Sequence, residues 1–255
     1  MTLPRDVRDR LVALQRKGAR SAPATVADFD WTRRPRPPAW LPRRMFLGAV
    51  AHLHMGETMT RRACETLAAV TDDPLMRDCL AIQARDEGHH AEIYARYLAL
   101  FEASDAARPH PVIENALAEA IDPTRPVATL LAYNTLLESE ALGIQAGFET
   151  WLPCPLFKDI NARIARDEAR HVAFGRLVLP TLLADLDAGA RGELYDWLHG
   201  LWWRCAEAVL DGHRFPGMTS RRIRRRWLDS RWTRRHRALA DIGLLDADVS
   251  GGDAP

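Results

Sequence analysis

The chain has 255 residues, 47% of them apolar and 27% charged, with a formal net charge of +1. Such a composition describes a globular chain with one large core or slightly more, and argues against disorder. Charge from Arg5 onward, the lack of an apolar run approaching a membrane span, and four scattered cysteines argue against secretion or a membrane partner and lead us to expect a cytoplasmic protein.

In chain order, residues 4–18 carry Val7, Leu11 and Leu14 at helical spacing, and Arg20 to Ala39 is rich in Pro and Arg. Residues 1–44 thus read as a helix and an arm, with Trp31 and Trp40 expected to anchor the arm. A four-helix core is expected over 45–188. Its helices run from about Pro42 to Val70, Pro74 to about Ser104, Pro126 to Trp151, and Pro155 to about Ala188, each opened by a proline that suits a helix start. The long crossover between the second and third holds a short helix within His110 to Asp122. Residues 189–245 read as accessory helices, the first from Ala190 to Gly212. From Arg214 to Arg237 Arg is dense, with Trp227 and Trp232 interleaved. Such a stretch either packs through Ile223, Trp227 and Leu228 or binds nucleic acid. Packing is the expectation, with nucleic acid not expected as a partner. Residues 246–255 are expected to be a disordered tail.

The chemistry lies in a repeat. Arg85-Asp86-Glu87-Gly88-His89-His90 and Arg166-Asp167-Glu168-Ala169-Arg170-His171 both read Arg-Asp-Glu-x-x-His. Residues three apart lie on one helical face, so each Glu and His can grip the same ion. A single Glu-x-x-His is more often a solvated face, whereas two copies ask for one shared site. Antiparallel geometry then indicates the partners: Glu57 and Glu87 stand about fifteen residues either side of the break at Thr71 to Pro74, and Glu140 and Glu168 about fourteen either side of Cys154. Glu138 competes with Glu140. The face of Glu140 carries Tyr133, Leu137, Ile144, Phe148 and Trp151, and that of Glu138 carries Asn134, Gln145 and Glu149, so Glu140 is expected to point inward.

Glu57, Glu87-x-x-His90, Glu140 and Glu168-x-x-His171 resemble the ligand pattern of the ferritin-like di-iron carboxylate proteins, over roughly residues 45 to 185. The layout is most similar to the R2-like ligand-binding oxidases, the aldehyde-deformylating oxygenases and, more loosely, the arylamine N-oxygenases. The resemblance implies an all-α, ferritin-like four-helix bundle with a long crossover between helices two and three and accessory C-terminal helices. It implies two Fe ions, with Mn at one or both sites as an option, O2 as co-substrate and oxidation of a small organic molecule. A separate electron donor, a ferredoxin or flavin reductase, would supply electrons, and a homodimer is compatible with it. Departures narrow the field. The cysteines lack the Cys-x-x-Cys pairs of rubrerythrin, and Ile164 stands where arylamine N-oxygenases carry an extra His.

Glu87 and Glu168 are expected to bridge or flank both ions, with Glu57 and His90 completing one and Glu140 and His171 the other. Asp86 and Asp167 would each steady the His of the opposite motif. Tyr94 falls where ribonucleotide reductase small subunits hold a radical tyrosine, although a core Tyr is ordinarily packing. His54 is a pocket-lining proton donor or a core histidine. Gly143, Gly147 and Gly175 leave room for substrate or allow close packing. Two alternatives stand beside the oxygenase: an RNA-directed di-iron hydroxylase using the Arg-rich end, and a non-oxygenase metal protein such as a manganese catalase or iron store.

Overall fold

The protein is described by a computed structural model covering residues 3–20, 22–102, 108–213 and 220–245. Among these residues there is helix and no strand. The helices are α1 (Arg5–Arg20), α2 (Arg43–Val70), α3 (Pro74–Leu98), α4 (Pro111–Glu119), α5 (Pro126–Leu130), a π-helical segment (Leu131–Leu137), α6 (Glu138–Trp151), α7 (Pro155–Ala184), α8 (Ala188–His213) and α9 (Arg221–Asp241). The bundle is α2, α3, the continuous α5–π–α6 run, and α7. α4 lies in the crossover between α3 and α5, and α8 and α9 are the expected accessory helices. The second and fourth bundle helices end at Leu98 and Ala184, earlier than their periodicity suggested. The expected tail, and the segment Arg214 to Thr219, lie outside the described residues.

Local chemistry sets the turns. Asp73 caps α3, its Oδ1 accepting from Leu75 N at 2.9 Å and Met76 N at 3.1 Å, and Pro74 occupies the first turn, where its missing N–H costs nothing. Arg8 of α1 adds a 2.6 Å ion pair to Asp73 and so ties the N-terminal helix to the α2–α3 turn. α6 and α7 are joined through Leu152 to Cys154, with Pro155 starting α7.

Two apolar clusters fill the bundle. One end is built by Phe46, Leu47, Val50, Tyr97, Phe157 and Ile160, with ring pairs such as Tyr97–Phe157 at 4.6 Å. The arm covers this end through Ala24, Val26, Phe29 and Trp31, the Trp31 indole donating to Val26 O at 2.6 Å. Trp31 is therefore an anchor, but Trp40 is 68% exposed and is not. The other end gathers Met59, Leu67, Leu80, Leu131, Phe174 and Leu179 with apolar residues of α1, α4, α8 and α9. Between the two ends lies a layer of buried charged and polar side chains.

The π-helical segment takes an extra residue into its turn and rotates the downstream residues of the helix by about 100°. Gly175 of α7 makes room for it: a Cβ there would sit 2.9 Å from Asn134 Cβ and 3.2 Å from Asn134 O. Gly143 and Gly147 have open space where a Cβ would be, so close packing explains Gly175 alone.

Candidate metal centre

The polar layer is a cluster of four carboxylates and two imidazoles. Glu57, Glu87, His90 and Glu168 offer one group of ligand atoms all within 4.8 Å of one another, and Glu87, Glu138, Glu168 and His171 offer a second. Glu87 and Glu168 belong to both. All six side chains are buried, Glu87 and His90 completely. α2 supplies Glu57, α3 supplies Glu87 and His90, α6 supplies Glu138, and α7 supplies Glu168 and His171, so every bundle helix contributes.

Glu140 is not in the cluster. Its carboxylate faces the accessory helices, where Oε1 accepts from Trp202 Nε1 at 2.8 Å and pairs with Arg235 Nε at 2.6 Å. Glu138, 3% exposed, takes the inward position. Helical phase pointed to the wrong glutamate because the inner face of the continuous π–α6 run is polar. Asn134, Glu138 and Gln145 point inward, while the apolar residues Ile144 and Trp151 are 45% and 72% exposed. The usable signal was a polar stripe on one helix that matches buried polar residues, Gln83 and Asn161, on the helices opposite.

Both imidazoles present Nδ1 to the carboxylates. His171 Nδ1 lies 2.9 Å from Glu87 Oε1, 3.1 Å from Glu168 Oε2 and 3.7 Å from Glu138 Oε1. His90 Nδ1 lies 3.1 Å from Glu168 Oε1, 3.4 Å from Glu57 Oε2 and 3.5 Å from Glu87 Oε2. Donors about 2.1 Å from a divalent ion in near-octahedral geometry stand about 3 Å apart along an edge, and these separations fit that requirement. His90 Nδ1, Glu87 Oε2 and Glu168 Oε1 are buried without a hydrogen-bond partner, as donors aimed at a shared third atom would be. The residues fit a pair of divalent ions.

Behind each imidazole stands an aspartate of the other repeat. His90 Nε2 is 3.3 Å from Asp167 Oδ2, and His171 Nε2 is 3.7 Å from Asp86 Oδ2. Arg170 spans the two, at 2.6 Å from Asp167 Oδ1 and 3.4 Å from Asp86 Oδ2. The arm also reaches this layer, Ala24 N donating to Asp167 Oδ2 at 2.9 Å. Arg170 and the arm were not anticipated from sequence, since neither has a spacing that advertises the contact.

A second polar network fixes the carboxylates. The Gln83 amide donates to Glu138 Oε1 at 3.1 Å and to Glu87 Oε1 at 3.3 Å, and its own oxygen accepts from Asn134 Nδ2 at 2.8 Å. That donation settles which end of the Gln83 amide faces the carboxylates. Tyr94, fully buried, donates to Asn161 Oδ1 at 3.2 Å and accepts from Gln145 Nε2 at 3.3 Å. Burial pushes its phenol well above the usual range. His54 lies half-buried outside both ligand groups, and burial lowers its pKa. Ile164 is fully buried in the apolar end.

Burial and neighbouring charges shift the clustered groups in opposite directions. Burial raises Glu57 and Glu138 well above the carboxylate range, reinforced by the neighbouring Glu168. Burial opposes charge on Glu87 and Glu168 too, yet the imidazoles bring Glu87 down to about 2, and bonds from Glu138, His171 and His90 hold Glu168 well below its usual value. Burial disfavours charge on His90 and His171, but Asp167 and Glu168 around His90, and Glu87 and Asp86 around His171, raise both well above the usual value. Four buried carboxylates this close together call for positive charge beside them, from protons or from cations.

A cavity of about 530 Å³ reaches this layer between α1, α3 and α7. Leu14, Ile82 and Phe174 give it apolar walls, and Gln83, Asp86 and His171 form its inner end.

No protein-family model matches the sequence, and no curated protein matches it. Solved structures do. A glycine-to-leucine variant of R2-like ligand-binding oxidase with an anaerobically reconstituted Mn/Fe cofactor matches with a TM-score of 0.66 at 16% identity, covering 89% of this chain and 92% of that one. A valine-to-alanine variant, also reconstituted anaerobically with Mn/Fe, gives 0.63 at 17%, covering 92% and 91%. An aerobically reconstituted valine-to-isoleucine variant gives 0.60 at 16%, covering 89% and 93%. The chain therefore has the ferritin-like all-α fold of the R2-like ligand-binding oxidases, with a buried carboxylate and histidine cluster of its own at the centre of the bundle.

Proposed function

We propose that the protein is a non-haem di-metal oxidase or oxygenase that uses O2 to oxidise a small organic molecule. The observation that carries this reading is the pair of four-residue ligand groups sharing Glu87 and Glu168. Carboxylate and imidazole donors without thiolate suit iron and manganese, and the structurally similar oxidases carry Mn/Fe, so either two Fe or a mixed pair is compatible. Glu57 and His90 would complete one ion, Glu138 and His171 the other. The bound pair would supply the electrons that O2 reduction requires.

The chain's own residues do the rest. Asp167 Oδ2 accepts from His90 Nε2 at 3.3 Å, and Asp86 Oδ2 stands behind His171 Nε2 at 3.7 Å, an ion-pair distance, so that each ring keeps Nδ1 turned to the cluster. Gln83 donates to one oxygen each of Glu87 and Glu138 and so orients both side chains. The two apolar ends of the bundle exclude water from the layer between them. The cavity beside Gln83 and His171 offers a small molecule a place with apolar walls and a few polar contacts.

The test is oxygen uptake by anaerobically reduced, Fe(II)-loaded protein with a panel of small organic substrates and product analysis. Uptake of a few O2 per chain, with an oxidised product from one substrate class, supports the reading. Oxidation of Fe(II) in large excess into mineral, or peroxide disproportionation by Mn-loaded protein without substrate, would replace it with storage or catalase activity.

A further inference from the structure

α9 is not an ordinary solvated helix. It holds nine arginines against two aspartates in a chain of net charge +1, so the rest of the molecule is net acidic. Leu228, Trp232 and Leu239 are buried and define its inner face. On the opposite face, by the 100° step of a helix, lie Arg222, Arg226, Arg234 and Arg237 with Ile223, a strip about 22 Å long. These four arginines are exposed and form no ion pair among the described residues, and Ile223 is 50% exposed. The arginines that do pair among the described residues, Arg224 with Asp211 at 2.5 Å, Arg225 with Asp229 at 4.0 Å and Arg235 with Glu140 at 2.6 Å, lie off this strip.

The inner side of α9 is in contact with the ligand-bearing helix. Trp232 packs on Trp202 at 5.4 Å, Trp202 on Trp203 at 6.1 Å, and Arg225 lies over Trp203 at 5.6 Å. Trp202 Nε1 and Arg235 Nε both bind Glu140, two residues along α6 from Glu138. A hydrogen-bonded, aromatic path therefore runs from the arginine helix to the helix carrying one member of the metal cluster. The cavity beside the cluster is on another side, between α1, α3 and α7.

From these observations we infer that the outer face of α9 docks an acidic one-electron carrier protein, of the iron–sulfur or flavin class, that reduces the di-metal centre. The inference rests on the di-metal reading above. Each docking delivers one electron and oxidises one carrier by one electron, so two dockings take two trivalent ions to the divalent state. Exposed arginines on a short strip with one apolar contact match the small, charge-steered interfaces of weak redox encounters. The aromatic and hydrogen-bonded contacts to Glu140, two residues from Glu138 on the same helix, favour an electron donor over an RNA, which needs the same charge but no route toward the cluster.

The experiment compares the metal-loaded protein with its Arg222→Glu/Arg226→Glu/Arg234→Glu variant, and with the corresponding triple Gln variant as a milder change. Binding of an oxidised acidic [2Fe–2S] ferredoxin and of a flavodoxin is measured by titration at low and high salt, and reduction by the reduced carriers is followed after rapid mixing. Salt-sensitive binding of at least one carrier to the unaltered protein is expected, weakened at least about tenfold by the Glu variant and less by the Gln variant. The second-order reduction rate should fall in parallel, while metal content and reduction by dithionite stay unchanged. Binding and reduction equal in all three proteins would overturn the docking face, as would failure of both carriers to bind. Salt-sensitive binding of tRNA or anionic vesicles that the Glu variant abolishes, with carrier reduction unaffected, would assign the face to that partner instead. Loss of metal from the unaltered protein would sink the di-metal reading, a result separable from carrier binding.

Discussion

The two halves of the bundle carry the same Glu-x-x-His motif on different scaffolds. In the α2–α3 hairpin, Glu57 sits on an apolar stripe with Val50, Leu53 and Cys64, all buried, and both helices are regular. In the other half the stripe that faces the cluster is polar, through Asn134, Glu138 and Gln145, and a π-helical turn precedes the ligand. The first half positions its carboxylate by ordinary apolar packing. The second does so by a hydrogen-bonded layer and a helix irregularity, held by the close approach of Gly175 to Asn134.

The largest expected effect separates the two glutamates of α6. Glu138→Ala should reduce the bound Fe(II) from two ions per chain to one or none by metal analysis. Glu140→Ala should keep two ions and lose about 1 kcal/mol of stability by denaturant titration, because a partly exposed pair with Arg235 and one bond from Trp202 are removed. The reverse pattern would return the site to Glu140.

Next in size is the π-helical contact. Gly175→Ala should destabilise the protein by about 1–3 kcal/mol, since the added Cβ meets Asn134 backbone as well as side chain. Gly143→Ala, where nothing lies within 4 Å, should instead be neutral or stabilise by up to about 1 kcal/mol. Equal effects at both would remove the packing role given to Gly175.

Acidity sharpens the picture of the cluster as one unit. Glu57, Glu138, His90 and His171 all have raised values in the metal-free fold, so metal loading must release protons and apparent affinity should fall as pH falls. The stability of the metal-free protein has the opposite sense for the histidines. Their raised values contribute fully below about 6.5, the unfolded value, and that contribution is lost as pH rises through the folded values. Calorimetric Fe(II) or Mn(II) titrations in buffers of different ionisation enthalpy, with melting curves across the same range, check both signs.

The smallest effect is at the α2–α3 turn. Asp73→Ala removes the cap of α3 and the Arg8 pair, costing about 1 kcal/mol at neutral pH. Burial raises the Asp73 value, but bonds from Met76 and the charge of Arg8 outweigh it and leave the value lowered. The difference between the two proteins should therefore hold above about 3.9 and shrink as pH falls through the folded value.

Much of this was legible in the sequence. The paired Glu-x-x-His motifs and the symmetry about Thr71 to Pro74 located five of the six clustered residues, because helical rise and spacing fix where carboxylates stand along a regular hairpin. The prolines at Pro74, Pro126 and Pro155 marked helix starts for a local steric reason. Glu138 was missed because an apolar stripe was taken to mean the inside of the bundle, whereas at the level of the carboxylate cluster the inside is polar. The π-helical turn depends on the tertiary fit of Asn134 against Gly175, which no local pattern encodes. Arg170 and Ala24 reach the aspartates only through the folding of the arm onto the bundle.

The most direct test of the central claim is a crystal structure of Fe- or Mn-loaded protein with anomalous data at the metal edges. The account predicts two anomalous peaks in the buried layer, both contacted by Glu87 and Glu168, one completed by Glu57 and His90 and the other by Glu138 and His171. A single peak, or a second ion held by Glu140 with Glu138 turned away, would contradict it.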